Sequence, residues 1–222
     1  MNIIYNIEAK GTNSVFITIP EFLNSDEILL YHKNIRNIND WEDGTFNGRP
    51  INRMQNWYHD DFKYFSNNWE NQTHKRWTAK QSYDWLNSMR SKVQTKLYDI
   101  FSDKSIKDKL IGCNCPELNS TLLNYYRDGG DNIRYHTDDE KIFGDNPTVS
   151  MLTFGAMRPL NFKRINKNES TLNQSFVIEP GTLFFMMGST QKYYYHGIDK
   201  DNSITESRYS VTFREHGRIN VL

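Results

Sequence analysis

The sequence predicts an α+β fold, mainly β, in which short strands form a sandwich or barrel and two helices ahead of them buttress it. Three observations carry this. From Ser120 onward, short apolar runs alternate with clusters of Gly, Asn, Asp and Pro, the rhythm of an all-β unit. Two stretches of the first half repeat apolar residues at intervals of three and four. The chain has 222 residues, and neither a repeat nor a linker divides it, so one domain over 1–222 is expected, helices in about 1–115 and the β core in about 116–216.

The first helix follows Asn24 or Ser25, either of which can cap it, with Asp26 and Glu27 in its first turn and Ile28, Leu29, His32 and Ile35 on one face. Residues 41–77 are rich in aromatic residues, Asn and Asp without a sustained period, and read as short strands and loops. The second helix opens on Thr78-Ala-Lys-Gln81, a capping-box pattern, and buries Leu86, Met89, Val93, Leu97 and Ile100 against a sheet. The strands then follow as TLLNYY, PTVSMLTF, QSFVI, GTLFFMM, QKYYYHGI and RYSVTFRE, with a turn at 144–147 and a polar hairpin loop at 164–174.

Lys plus Arg and Asp plus Glu are 27 each, so the net charge is zero. This removes the simple case for a strongly basic nucleic-acid binder while permitting a local basic patch. Hydrophobic residues are only 37%, but aromatics are 14%, and each aromatic buries a large area. No apolar run approaches the roughly 20 residues of a membrane span, and MNIIYNIEAK does not read as a signal peptide. Cys113 and Cys115 are too few for a disulfide scaffold and are expected in a turn or the core. An intracellular monomer in a reducing compartment is expected, with no Lys/Arg cluster to direct it to a nucleus.

Two positions apart on an extended segment, His136 and Asp138 point to one face. A later strand that carries His196 alongside them assembles two imidazoles and one carboxylate, the set that holds non-haem Fe(II) and leaves coordination positions open. Alone, H-x-D is a common triplet. In Arg208-Tyr-Ser-Val-Thr-Phe-Arg214, residues 208, 210, 212 and 214 share a face. If that face is inward, two guanidiniums are buried, which costs several kcal/mol each unless anions compensate, and a small dicarboxylate does so bidentately. If it is outward, they are solvated and Tyr209, Val211 and Phe213 form the core. Alternation by itself leaves both open.

LLNYYRDGGDNIRYHTDDE (122–140), YYHGI (194–198) and RYSVTFRE (208–215) together resemble the AlkB family of Fe(II)- and 2-oxoglutarate-dependent nucleic-acid dealkylases, in the family's order. PTVSMLTFGAMRPLNFK (147–163) is similar to its intervening strands. The resemblance implies a double-stranded β-helix (jelly-roll) core and assigns Fe(II) to His136, Asp138 and His196. It pairs Arg208, helped by the Tyr126 hydroxyl, with the distal carboxylate of 2-oxoglutarate. Arg214 and Asn124 fall near the carboxylate beside the keto group, and Ser210 and Thr212 lie on the same cosubstrate-binding face. Ser210 stands where many members carry Asn, a shorter donor at that place. The implied reaction consumes O2 and 2-oxoglutarate, hydroxylates an N-methyl group of a base such as 1-methyladenine or 3-methylcytosine, and releases formaldehyde, succinate and CO2.

A methyl on the pairing edge of a base is reached only in a single strand or after base flipping. RMQNWYHDDFKYFS (53–66) resembles the family's nucleotide-recognition region, with Tyr64 and Phe65 as base contacts, and the alternative is ordinary core or surface aromatics. Glu140, with Asp139, is placed to accept from an exocyclic amine. GTFNGR (44–49) lies where some members carry a finger, making Phe46 a candidate wedge into duplex, or else a plain hairpin residue. Arg49, Arg53, Lys75, Arg76 and Lys80 form a candidate phosphate patch or a solvated surface. Alkylated DNA or RNA is thus the implied partner. The rivals are an oxygenase for RNA marks or protein side chains, and a binding module that kept the fold without turnover.

Overall fold

The structure, a computed structural model, describes residues 4–7, 13–46, 49–61, 79–110 and 113–217. In chain order its elements are β1 (Ile4–Ile7), β2 (Ser14–Ile19), α1 (Ser25–Arg36), β3 (Thr45–Phe46), β4 (Arg49–Pro50), β5 (Met54–His59), α2 (Asp84–Ser102) and α3 (Lys104–Lys107). They continue as β6 (Ser120–Tyr126), β7 (Ile133–His136), β8 (Val149–Gly155), β9 (Pro159–Arg164), β10 (Gln174–Val177), β11 (Leu183–Gly188), α4 (Thr190–Tyr193), β12 (Tyr194–Ile198) and β13 (Arg208–Arg214).

Two antiparallel sheets form the jelly-roll core, a major one in the order β1-β2-β11-β8-β13-β6-β5 and a minor one in the order β10-β9-β12-β7. The two-residue period of the strands sorts their side chains between two layers. Phe16, Val149, Met151, Phe184 and Met186 of the major sheet meet Leu160, Phe162, Tyr194 and Ile198 of the minor sheet in one apolar cluster. The alternate residues, among them Val15, Ile17, Leu152, Phe154, Phe185, Tyr209, Val211 and Phe213, face α1 and α2 in a second cluster. The major sheet is therefore buried on both faces.

Helix α2 buries Leu86, Met89, Val93, Leu97 and Ile100, the five residues its period predicts. Each such burial stabilises by roughly 1.5–3 kcal/mol. Its start differs from expectation. The N-cap is Tyr83 with no side-chain cap, so Gln81 lies ahead of the helix, and Thr78 lies outside the described residues. Asp84 in the first turn supplies the negative charge that a helix N-terminus favours. Asn24 caps α1 in a full capping box with Glu27. The buried face of α1 carries Tyr31 and Ile35, while Leu29 is 69% exposed, because it sits about 100° around the helix from Ile28.

The helices do not simply precede the β unit. β1 and β2 come first and extend the major sheet beyond β11. The expected hairpin at 164–174 joins β9 to β10. Thr45–Phe46 pairs antiparallel with Arg49–Pro50 in a two-stranded ladder. Among the described residues no helix is long and apolar enough to cross a membrane. Cys113 and Cys115 pack partly buried against the main core, and neither is in a disulfide.

Candidate active site

The inner face of the sheets opens into a cavity of about 440 Å³. Its floor comes from the major sheet, with Leu122, Asn124 and Tyr126 of β6 and Ser210, Thr212 and Arg214 of β13, and its wall from the minor sheet, with Ile133 and His136 of β7 and His196 of β12. The antiparallel register sets Arg208 opposite Tyr126, Ser210 opposite Asn124 and Thr212 opposite Leu122, so the predicted same-face residues of two strands become neighbours.

In the minor sheet, His196 pairs directly with His136, and their rings stand 4.3 Å apart. Asp138 lies two residues beyond His136, past the end of β7, and its carboxylate falls between them. His136 Nε2 is 3.8 Å from Asp138 Oδ1, and His196 Nε2 is 3.8 Å from Asp138 Oδ2. One ligating atom from each residue lies within 4.8 Å of the others. The His136 Nδ1 sits 2.9 Å from the Arg134 carbonyl, to which it donates, leaving the Nε2 lone pair aimed at the carboxylate.

The electrostatics suit a cation. Burial holds the His136 pKa below its ordinary value and takes that of His196 down to about 3, so both imidazoles are neutral. Burial alone would raise the Asp138 carboxyl, but the Arg214 guanidinium, 3.1 Å away, holds it below its usual value. Two neutral imidazoles and a carboxylate are the deprotonated donors a divalent metal requires. With one ligating atom of each within 4.8 Å of the others and that donor chemistry, the residues fit Fe(II).

Both arginines of β13 turn inward. Arg208 is 1% exposed, its Nη1 and Nη2 have no hydrogen-bond partner, and its guanidinium packs on the Tyr126 ring at 5.1 Å. The cavity lining reaches Tyr126 and Ser210 but stops short of Arg208 itself. The Thr212 hydroxyl donates to the Leu122 carbonyl at 3.0 Å, which spends its proton on the sheet. Asn124 is a hub. Its Oδ1 accepts from Arg53 Nε and Gln55 Nε2, each at 2.8 Å, and its Nδ2 donates to Ser210 Oγ at 3.3 Å.

On the substrate side, Glu140 lines the cavity. Burial first, then the charge of Asp138, pushes its carboxyl up to about 7. Asp139 is exposed and does not line the cavity, because the chain turns it to solvent between two inward neighbours. Of the candidate phosphate patch, only the Arg53 and Lys80 side chains fall among the described residues. Arg53 points into the cavity and is held by Asn124. Lys80 is 3.0 Å from both Asp40 and Glu42, and those carboxylates already neutralise it. Tyr64, Phe65, Lys75 and Arg76 lie outside the described residues, as do the side chains of Phe46 and Arg49.

Two side chains were missed by the sequence reading. Gln55 stands opposite Asn124 in β5, so the same-face rule finds it once that strand is placed. Gln191 is 4% exposed and accepts from the Asp138 backbone N–H at 2.9 Å, a contact 53 residues apart with no local signal. Another buried guanidinium, Arg158, has its charge spread over the carbonyls of Asp128 and Asp199, a clamp between two loops.

A jelly roll with a His-Asp-His set and buried arginines defines a class of metal-dependent oxygenase. The chain belongs to the 2OG-Fe(II) oxygenase superfamily, which it matches over residues 16–221, and several of its relatives are named as AlkB homologues. It is 34% identical over 103 residues to the alpha-ketoglutarate-dependent dioxygenase alkB homolog 3 of Rattus norvegicus, covering 44% of this chain and 35% of that protein. It is 30% identical over 117 residues to the DNA oxidative demethylase ALKBH2 of Arabidopsis thaliana, covering 44% of this chain and 37% of that one. The chain thus spans little more than a third of the length of these relatives. The solved structure of OsALKBH1 superposes with a TM-score of 0.63 at 13% identity, over 95% of this chain and 100% of that one. Membership of the superfamily carries with it Fe(II), 2-oxoglutarate and O2.

Proposed function

We propose that the protein is an oxidative demethylase that removes N-methyl groups from DNA or RNA bases such as 1-methyladenine and 3-methylcytosine. One observation carries the reading. His136, Asp138 and His196 converge in the wall of a cavity whose floor belongs to the strand that buries Arg208 and Arg214. The names of the curated relatives, an alkB dioxygenase and a DNA oxidative demethylase, support the same substrate class.

His136, Asp138 and His196 would hold Fe(II), which with 2-oxoglutarate and O2 supplies the oxidising power for a C–H bond. The remaining work belongs to the chain. Arg208, beside Tyr126, would neutralise one carboxylate of the cosubstrate and Arg214 the other, with Asn124 close to it. Arg214 at the same time keeps Asp138 ionised. Leu122, Met151, Leu160 and Ile198 give the cavity an apolar lining that limits water. Glu140 would meet the edge of an extruded base, with Tyr64 and Phe65 stacking on it. The methyl group gains one oxygen atom, the second oxygen leaves in succinate, and the hydroxymethyl product breaks down to formaldehyde and the unmodified base. We read the protein as a single-domain monomer that acts inside the cell.

The test is formaldehyde release from oligonucleotides containing 1-methyladenine or 3-methylcytosine, offered as single and double strands of DNA and RNA. The parent should release formaldehyde, and His136→Ala should release none. A variant that turns over like the parent would refute the metal assignment.

A further inference from the structure

We propose that Gln191 is a positioning residue of the metal centre, fixing Asp138 through its backbone; this rests on reading His136, Asp138 and His196 as the ligands. β7 ends at His136, so Asp138 lies in a segment without strand pairing. Its backbone N–H is nonetheless satisfied in a buried setting, by Gln191 Oε1 at 2.9 Å. Gln191 is itself immobilised. It is 4% exposed, its Nε2 lies 3.8 Å from Met186 Sδ, and it sits in α4, the turn of helix between β11 and β12.

That turn of helix is tied down independently. The Ser189 N–H donates to the Asn13 carbonyl at 3.1 Å, and the Tyr193 carbonyl accepts from the Ile165 N–H at 3.0 Å, while the Thr190 hydroxyl makes only a local bond to the Met187 carbonyl at 2.6 Å. Five residues after Gln191, the same chain presents His196 on β12. One short segment therefore sets two of the three ligands, His196 through the covalent chain and Asp138 through a side-chain carbonyl. The carboxylate stands 3.8 Å from each imidazole Nε2 only while that backbone is held. Groups that orient metal ligands from behind change metal affinity by about 10- to 100-fold when lost.

The experiment measures Co(II) binding to the metal-free protein by visible absorption, beside the melting temperature of that metal-free form. The parent should bind, and Gln191→Met, similar in length but without the carbonyl acceptor, should bind about 10- to 100-fold more weakly. Thr190→Val, equally buried on the same helix but bonded only to a strand carbonyl, should lower the melting temperature and keep the Co(II) affinity within about threefold of the parent. This separates positioning from general support. Should Gln191→Met not fold, Gln191→Asn, one methylene too short to reach, takes its place with the same expectation. Equal affinity in Gln191→Met and parent, or an equal loss in Thr190→Val, overturns the positioning role. A parent that takes up no Co(II) overturns the ligand set on which it rests.

Discussion

Three buried arginines show how the same side chain serves different ends. Arg158 gives its protons to loop carbonyls, and Arg214 lies 3.1 Å from Asp138, but both Nη atoms of Arg208 are without a hydrogen-bond partner at 1% exposure. Burial depresses the Arg208 pKa, the mark of a charge that the protein alone compensates poorly. A buried cation without a partner is costly, and a carboxylate that reaches it recovers several kcal/mol. Arg208→Met keeps most of the volume and removes the charge. The metal-free variant should melt no lower than the parent, because an uncompensated charge has gone. The 2-oxoglutarate concentration for half-maximal formaldehyde release should rise at least about a hundredfold, from a loss of about 3 kcal/mol. Cosubstrate titrations and thermal melts on both proteins check this, and an unchanged 2-oxoglutarate dependence would count against Arg208 as the anchor.

At the scale of elements, α1 and α2 are joined by an ion pair as well as by their apolar faces. Lys92 of α2 donates to Glu27 of α1 at 2.7 Å, and the same carboxylate accepts from the Asn24 N–H of the capping box. The Lys92 hydrogen bond, with burial opposing it and the Asn24 bond assisting, holds the Glu27 pKa below its usual value. A carboxyl with a lower pKa in the folded state stabilises that state above its unfolded pKa, and the contribution is lost as pH falls through the folded value. Both side chains are partly exposed, so about 0.5 kcal/mol is expected at neutral pH. Glu27→Gln, which can still cap, should melt slightly below the parent at pH 7, and the difference should vanish on acidification below the glutamate range. Melting curves between pH 3 and pH 7 test this, and a gap that widens with acid would contradict the pairing. The capping also shows what was readable locally. Asn24-Ser-Asp-Glu27 closes a box at the start of α1, whereas the similar Thr78-to-Gln81 pattern precedes a helix that opens at Asp84. Both strings fit the motif, and only the point where the apolar period begins tells them apart.

For the whole molecule, the site was legible where two-residue spacing places side chains on one face: 136 with 138, 124 with 126, and 208 through 214. The inward choice for β13 was not, because the major sheet has helices on one side and the cavity on the other, and both halves of the alternation are buried. Gln55 and Gln191 act on partners 69 and 53 residues away, a distance no local pattern spans. The ladder of Thr45–Phe46 with Arg49–Pro50 is intermediate between these cases. Its pairing is local, and the Ile51 N–H closes it on the Gly44 carbonyl at 2.8 Å. Pro50, at its end, and Ile51, Asn52 and Arg53, which follow it, all line the cavity, so under the proposed function this ladder borders the space a base would occupy. If methylated duplex is the substrate, a side chain inserted between base steps here would part the strands. Phe46→Ala should therefore lower formaldehyde release from methylated duplex by about tenfold or more, since unstacking costs a few kcal/mol per step, and leave the single-stranded rate nearly unchanged. An equal loss on both strand forms would show that Phe46 supports the pocket instead of parting the strands.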